Sequence, residues 1–125
     1  MLKPYILEKT RNSPQVELDK EKSIFLLSGR SIIEDATMFF RPIIEWVESY
    51  IQDPNPYTEI NLNFDYLNSA SIKNVLKVLI EFEKLVEKKK DVKVIWHFEK
   101  NDEIMEERGE EILGAINIPY EYKTF

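Results

Sequence analysis

Apolar and polar residues alternate along residues 58–66, with Ile60, Leu62, Phe64 and Tyr66 on one side and Asn61, Asn63 and Asp65 on the other. That period of two predicts a strand with one apolar and one polar face. Residues 34–51 follow a different period. Ala36, Phe39, Phe40, Ile43, Trp46, Val47 and Tyr50 recur at three- and four-residue steps, which gathers them on one helical face. Pro42 interrupts that pattern; inside a helix it removes one backbone hydrogen bond and crowds the preceding turn, at about 3 kcal/mol. The helix therefore either kinks at Pro42 or begins near Arg41. The run Gln52-Asp53-Pro54-Asn55-Pro56 is a stop and turn.

Residues 69–89 carry the pattern of the longest helix, with Ile72, Val75, Leu76, Leu79, Phe82 and Val86 as its apolar stripe. Lys88-Lys89-Lys90 places positive charge at its C-terminal turn, where the helix dipole favours it. Residues 92–98 form a further strand, residues 101–114 a third helix, and residues 116–122 an edge strand broken by Pro119. Towards the N-terminus, residues 15–18 and 23–28 flank a polar turn and read as a hairpin. Pro4, Asn12, Ser13 and Pro14 make the first dozen residues an irregular lead-in, and Ser28-Gly29-Arg30-Ser31 ends the hairpin pattern. The expected order is β-β-α-β-α-β-α, with an optional final β. Helical crossovers make the second half of the sheet parallel and the opening hairpin makes it mixed.

A length of 125 residues fits one α/β domain spanning the chain. The net charge of −6 opposes binding to phosphate backbones or anionic lipid, so nucleic acid and membrane are poor partners. With no cysteine the chain has no disulfide, thiolate metal site or thiol nucleophile. It shows no signal-peptide pattern and no membrane-length apolar run, which points to a cytoplasmic protein.

Chemistry is sparse. Three glycines, Gly29, Gly109 and Gly114, build no phosphate-cradling loop. His97 is the sole histidine and lacks an orienting partner nearby in sequence, so an ordinary strand residue outweighs a general base. Residues 99–111 hold seven carboxylates against two basic side chains. Their spacing does not fit a calcium loop, and a solvated helix face, with Ile104, Met105 and Ile112 turned inward, outweighs a metal site. A partner surface there stands about level with that reading. A hydrolase built from Asp65, His97 and these carboxylates with a divalent cation is the weakest alternative.

The stretch Asn68-Ser69-Ala70-Ser71 joins the central strand to its helix. Asn or Ser there caps the helix for about 1 kcal/mol. The same position is an anion site, suited to a phosphate on Ser69. Cap and phosphoacceptor are compatible roles.

These residues together resemble the SiaC family of bacterial regulatory phosphoproteins, which belongs to biofilm and cyclic-di-GMP control modules. The markers are SPQVELD (13–19), SGRSIIEDATMFFRPIIEWVESYI (28–51), INLNFDYLNSASIKNVLKVL (60–79) and VIWHFEKNDEIMEERGEEI (94–112), with FFRPIIEW the most specific. The resemblance implies a STAS-like fold, similar to anti-sigma-factor antagonists, and a non-enzymatic partner switch without cofactor or metal. It further implies a cognate protein kinase that phosphorylates a hydroxyl at the start of the helix, a PP2C-type phosphatase that reverses it, and an unphosphorylated form that binds and activates a diguanylate cyclase. By position the acceptor falls on Ser69, with Ser71 the second choice and Asn68 and Lys73 among its surroundings. The family's pattern has threonine where this chain has Ser69, and a hydroxyl where it has Ala70. A partner switch on another pathway and a small-ligand module on the same scaffold are the remaining alternatives.

Overall fold

In the computed structural model, which describes residues 1–125, six strands form one sheet in sequential order β1 to β6. The strands are β1 (Tyr5–Leu7), β2 (Gln15–Asp19), β3 (Ile24–Ser31), β4 (Tyr57–Leu67), β5 (Asp91–Phe98) and β6 (Tyr120–Thr124). The helices are α1 (Ala36–Gln52), α2 (Ser69–Phe82), α3 (Lys84–Glu87) and α4 (Glu103–Leu113). β1, β2 and β3 pair antiparallel, and β3 through β6 pair parallel, giving the expected mixed sheet.

Each parallel crossover moves one strand further in the same direction. Right-handed connections taken in one direction put every helix on the same face. The core is accordingly a single layer between helices and sheet: 28 buried residues, with Phe25, Tyr50, Trp96, Leu62 and Val75 among them. Phe25 sits against Trp46, Tyr50 and Phe82, while Trp46 and Tyr50 stack with centroids 5.4 Å apart. The opposite face carries no helix. Strand alternation gives it Gln15, Glu17, Glu59, Asn61, Asn63, Lys93, His97 and Glu121, with Ile95 buried between its cross-strand neighbours Asn61 and Glu121.

Several expectations change. The lead-in is not wholly irregular, because Tyr5–Leu7 pairs with β2 as a short edge. The segment Ser28–Ser31 does not end a strand but continues β3 through a bulge: Gly29 faces Phe64, Arg30 faces Tyr66, and Asp65 is the extra residue. Gly29 has φ of +95°, a conformation that costs glycine little. The bulge shifts the phase of β4, so Tyr66 turns out to solvent and Leu67 turns into the core.

The helix of residues 69–89 is interrupted at Glu83, leaving α1 the longest at 17 residues. Its buried face also lies further round than the apolar residues alone indicate. Ser71, Asn74, Val78 and Leu85 are buried beside Val75, Leu79 and Phe82, whereas Ile72, Leu76 and Val86 are only partly covered. α1 continues through Pro42 without a break. The carbonyl left without a donor is that of Met38, an exposed residue whose backbone water can reach. Ile104 is exposed, not inward, while Met105, Gly109, Ile112 and Leu113 form the buried face of α4. The last strand begins only after Pro119.

The N-terminus of α2 as a candidate switch site

β4 ends and α2 begins within two residues, and Asn68 makes the junction. Its backbone is extended, its Oδ1 accepts the Ser71 N–H at 2.9 Å, and its carbonyl accepts the Ile72 N–H at 3.0 Å. Its Nδ2 donates to the Ile33 carbonyl at 3.3 Å, and its own N–H donates to the Ser31 carbonyl at 3.0 Å. Asn68 is thus both the cap of α2 and a clamp on the segment that follows β3. Of the four free N–H groups at a helix start, these bonds use two and leave those of Ser69 and Ala70.

The two candidate hydroxyls lie in opposite environments. Ser69 is exposed at the first position of α2. Ser71 has no exposed surface, and its Oγ lies 2.6 Å from the Oγ of Ser31, which is equally buried. A kinase reaches Ser71 only if the start of α2 opens. Asn74, one turn further on, satisfies its buried amide on the Ala70 carbonyl at 2.8 Å. Lys73 is exposed, and with Ser69, Ala70 and Ile72 it lines a shallow depression closed on the far side by Glu111 of α4. Lys73 follows Ser69 by four residues, so both lie on one helix face.

The residues of the hydrolase alternative do not converge. His97 pairs with Asn61, its ring nitrogen Nε2 2.8 Å from Oδ1, on the helix-free side of the sheet. Asp65 is the exposed extra residue of the bulge. The carboxylates of α4 ride on the other side, where Met105 accepts the Trp96 indole N–H at 3.0 Å. No three His, Asp or Glu side chains are grouped so as to hold a metal ion. Burial and the nearby Lys123 ammonium hold the His97 pKa below its usual value. No helix is long and apolar enough to cross a membrane.

The expected cap of α2 is found at Asn68, but the sequence pattern missed Ser31, the buried partner of Ser71. The only hint was a serine at the end of an alternating strand, which local periodicity cannot connect to a helix 40 residues away.

Comparison with known proteins supplies the family. The profile of the SiaC family regulatory phosphoproteins matches residues 7–124. The protein PA14_02130 of Pseudomonas aeruginosa (strain UCBPP-PA14) is 27% identical over 111 residues, covering 89% of this chain and 88% of that one. SiaC of Pseudomonas aeruginosa superposes with a TM-score of 0.88 at 24% identity, over 98% of this chain and 99% of its own. SiaC as captured in complex with the diguanylate cyclase SiaD, of which it is the activator, gives a TM-score of 0.89 at 25% identity. That alignment covers 97% of this chain and 99% of the other. A match over nearly the whole length, on the same fold, leaves one conclusion: the chain belongs to the SiaC family of regulatory phosphoproteins.

Proposed function

We infer that this chain is a non-enzymatic partner switch whose unmodified form binds and activates a diguanylate cyclase, and that phosphate on Ser69 turns it off. The observation that carries the reading is the contrast at one helix start: Ser69 is exposed while Ser71 is buried against Ser31. A cognate kinase and a PP2C-type phosphatase write and erase the mark. The complex of the Pseudomonas aeruginosa relative with SiaD supports a cyclase as the partner.

The physics of the site suits a switch that leaves the fold alone. A phosphate brings roughly 1.5 to 2 negative charges. At the first position of α2 it lies by the free Ser69 and Ala70 N–H groups and along the favourable end of the helix dipole, for about 0.3–1 kcal/mol. Lys73 stands one turn away as a counter-charge, and Glu111 opposes it from α4. Folding is therefore undisturbed, while a docked surface acquires a charge that must be desolvated.

The test is phosphorylation by the cognate kinase with mass-spectrometric mapping, beside cyclase activation. Ser69→Ala is expected to abolish phosphate incorporation and keep the cyclase active. Ser69→Asp is expected to weaken cyclase binding about tenfold or more, as an unpaired charge buried at an interface does, with an unchanged circular-dichroism spectrum. Phosphate found elsewhere, with switching intact in Ser69→Ala, overturns the assignment.

A further inference from the structure

β6 closes the sheet at a free edge, and its chemistry is complementary to itself. Pro119 offers its carbonyl to Val94 of β5. Phe125 donates to the Phe98 carbonyl and accepts from the Lys100 N–H. Bonds in a parallel ladder come from alternate residues. Residues 121 and 123 therefore also turn towards β5, and Tyr120, Tyr122 and Thr124 point their N–H and C=O groups away from the sheet. Such a row is a template for another strand. α4 packs over β4 and β5, so the aromatic rings of β6 and of Phe125 just after it stay open: Tyr120, Tyr122 and Phe125 are 45%, 39% and 64% exposed.

We propose that this edge binds a second copy of the chain, β6 against β6, antiparallel and centred on Tyr122. A two-fold axis perpendicular to the sheet keeps each face on its own side, so only registers centred on a residue are allowed. Centred on Glu121 or Lys123, two like charges meet. Centred on Tyr122, Glu121 of each copy faces Lys123 of the other, and Tyr120 faces Thr124. The charged pairs then occupy the non-hydrogen-bonded positions, where side chains come closest. The outward groups of Tyr120, Tyr122 and Thr124 on both copies all find partners. Glu121, which already lies 3.1 Å from Lys93 and 3.9 Å from Lys123 within its own chain, becomes the centre of a basic pair completed across the axis. The two sheets merge into one, with both helical layers on the same side.

Sedimentation velocity over a range of micromolar concentrations tests this on the whole chain. The unaltered protein is expected to show a concentration-dependent dimer. Lys123→Glu and Glu121→Lys should each raise its dissociation constant about tenfold or more, since two attractive cross-strand pairs become repulsive. An equimolar mixture of these two variants should associate again, because each supplies the charges the other lacks. Thr124→Pro removes only an outward N–H, leaves the β5 ladder intact, and should also weaken the dimer. Circular dichroism confirms that each variant is folded. A monomer throughout, a dimer indifferent to Lys123→Glu and Thr124→Pro, or folded charge variants that fail to associate on mixing would each overturn the proposal.

Discussion

Ser31 and Ser71 show how much a single buried pair fixes. Their hydroxyls lie 2.6 Å apart with no exposure, joining the end of β3 to the first turn of α2. One hydroxyl must donate and the other accept, so removal of either leaves the survivor buried and unpaired. Ser71→Ala is expected to cost about 1–3 kcal/mol in urea denaturation. Removing both hydroxyls should cost less than the sum of the two single changes, because no orphan remains. Additive losses would show that the two serines act separately. The same contact decides the local chemistry. Two serines two positions apart, indistinguishable by composition, become a core residue and a surface residue because α2 turns Ser71 towards β3. Asn68 was legible from its neighbours, since a capping residue acts within its own first turn; the fate of Ser71 depended on a distant strand.

At the scale of elements, α4 is held by an interlock that its sequence hides. Gly109 faces Trp96, and a Cβ placed there would lie 2.6 Å from the indole ring. Trp96 in turn donates to the Met105 carbonyl one turn earlier in the same helix. In an isolated helix, alanine in place of glycine stabilises by about 1 kcal/mol. Here the sign reverses: Gly109→Ala must push the indole or the helix away, and overpacking of that kind costs about 1–3 kcal/mol. Thermal unfolding checks it, and a raised melting temperature would contradict the close packing. The pattern of residues 99–111 announced a helix with a charged face. It placed Ile104 inside and gave no sign that a glycine would be the closest contact. Periodicity ranks residues by polarity, whereas a crossing of helix and strand selects for absence of volume. β4 repeats the lesson, because its clean alternation holds through Phe64 and fails at the bulge, which shows only in its pairing with β3.

The whole molecule is two-layered, with one face of the sheet left to solvent. That face carries His97, whose pKa is held down first by burial and then by Lys123, against the opposing pull of Glu59 and Glu121. The consequence for stability has a definite sign. An unfolded histidine titrates near 6.5 and binds a proton more readily than the folded one does. Stability is therefore full above that value and falls as pH drops from it through the lower folded pKa. His97→Gln should flatten the stability profile in that interval while keeping a polar partner for Asn61; an unchanged slope would show that other groups govern it. The same open face follows from topology. Helices above one side only are the result of crossovers stepping in one direction, and the polar residues Asn61 and Asn63 of β4 lie on the side left open.

Residue order was enough to read the strands and helices with strong periods, the turn at Pro54–Pro56, the cap at Asn68, and the family through markers spread along the chain. These are local properties, set by polarity within a few residues and by motifs that need no partner. Tertiary structure alone decided that Ser71 is inside and Ser69 outside, that Tyr66 and Leu67 exchange faces, that Gly109 seats Trp96, and that Tyr5–Leu7 is a strand. Each of these depends on a partner at least nine residues away, and local periodicity carries no information about who that partner is.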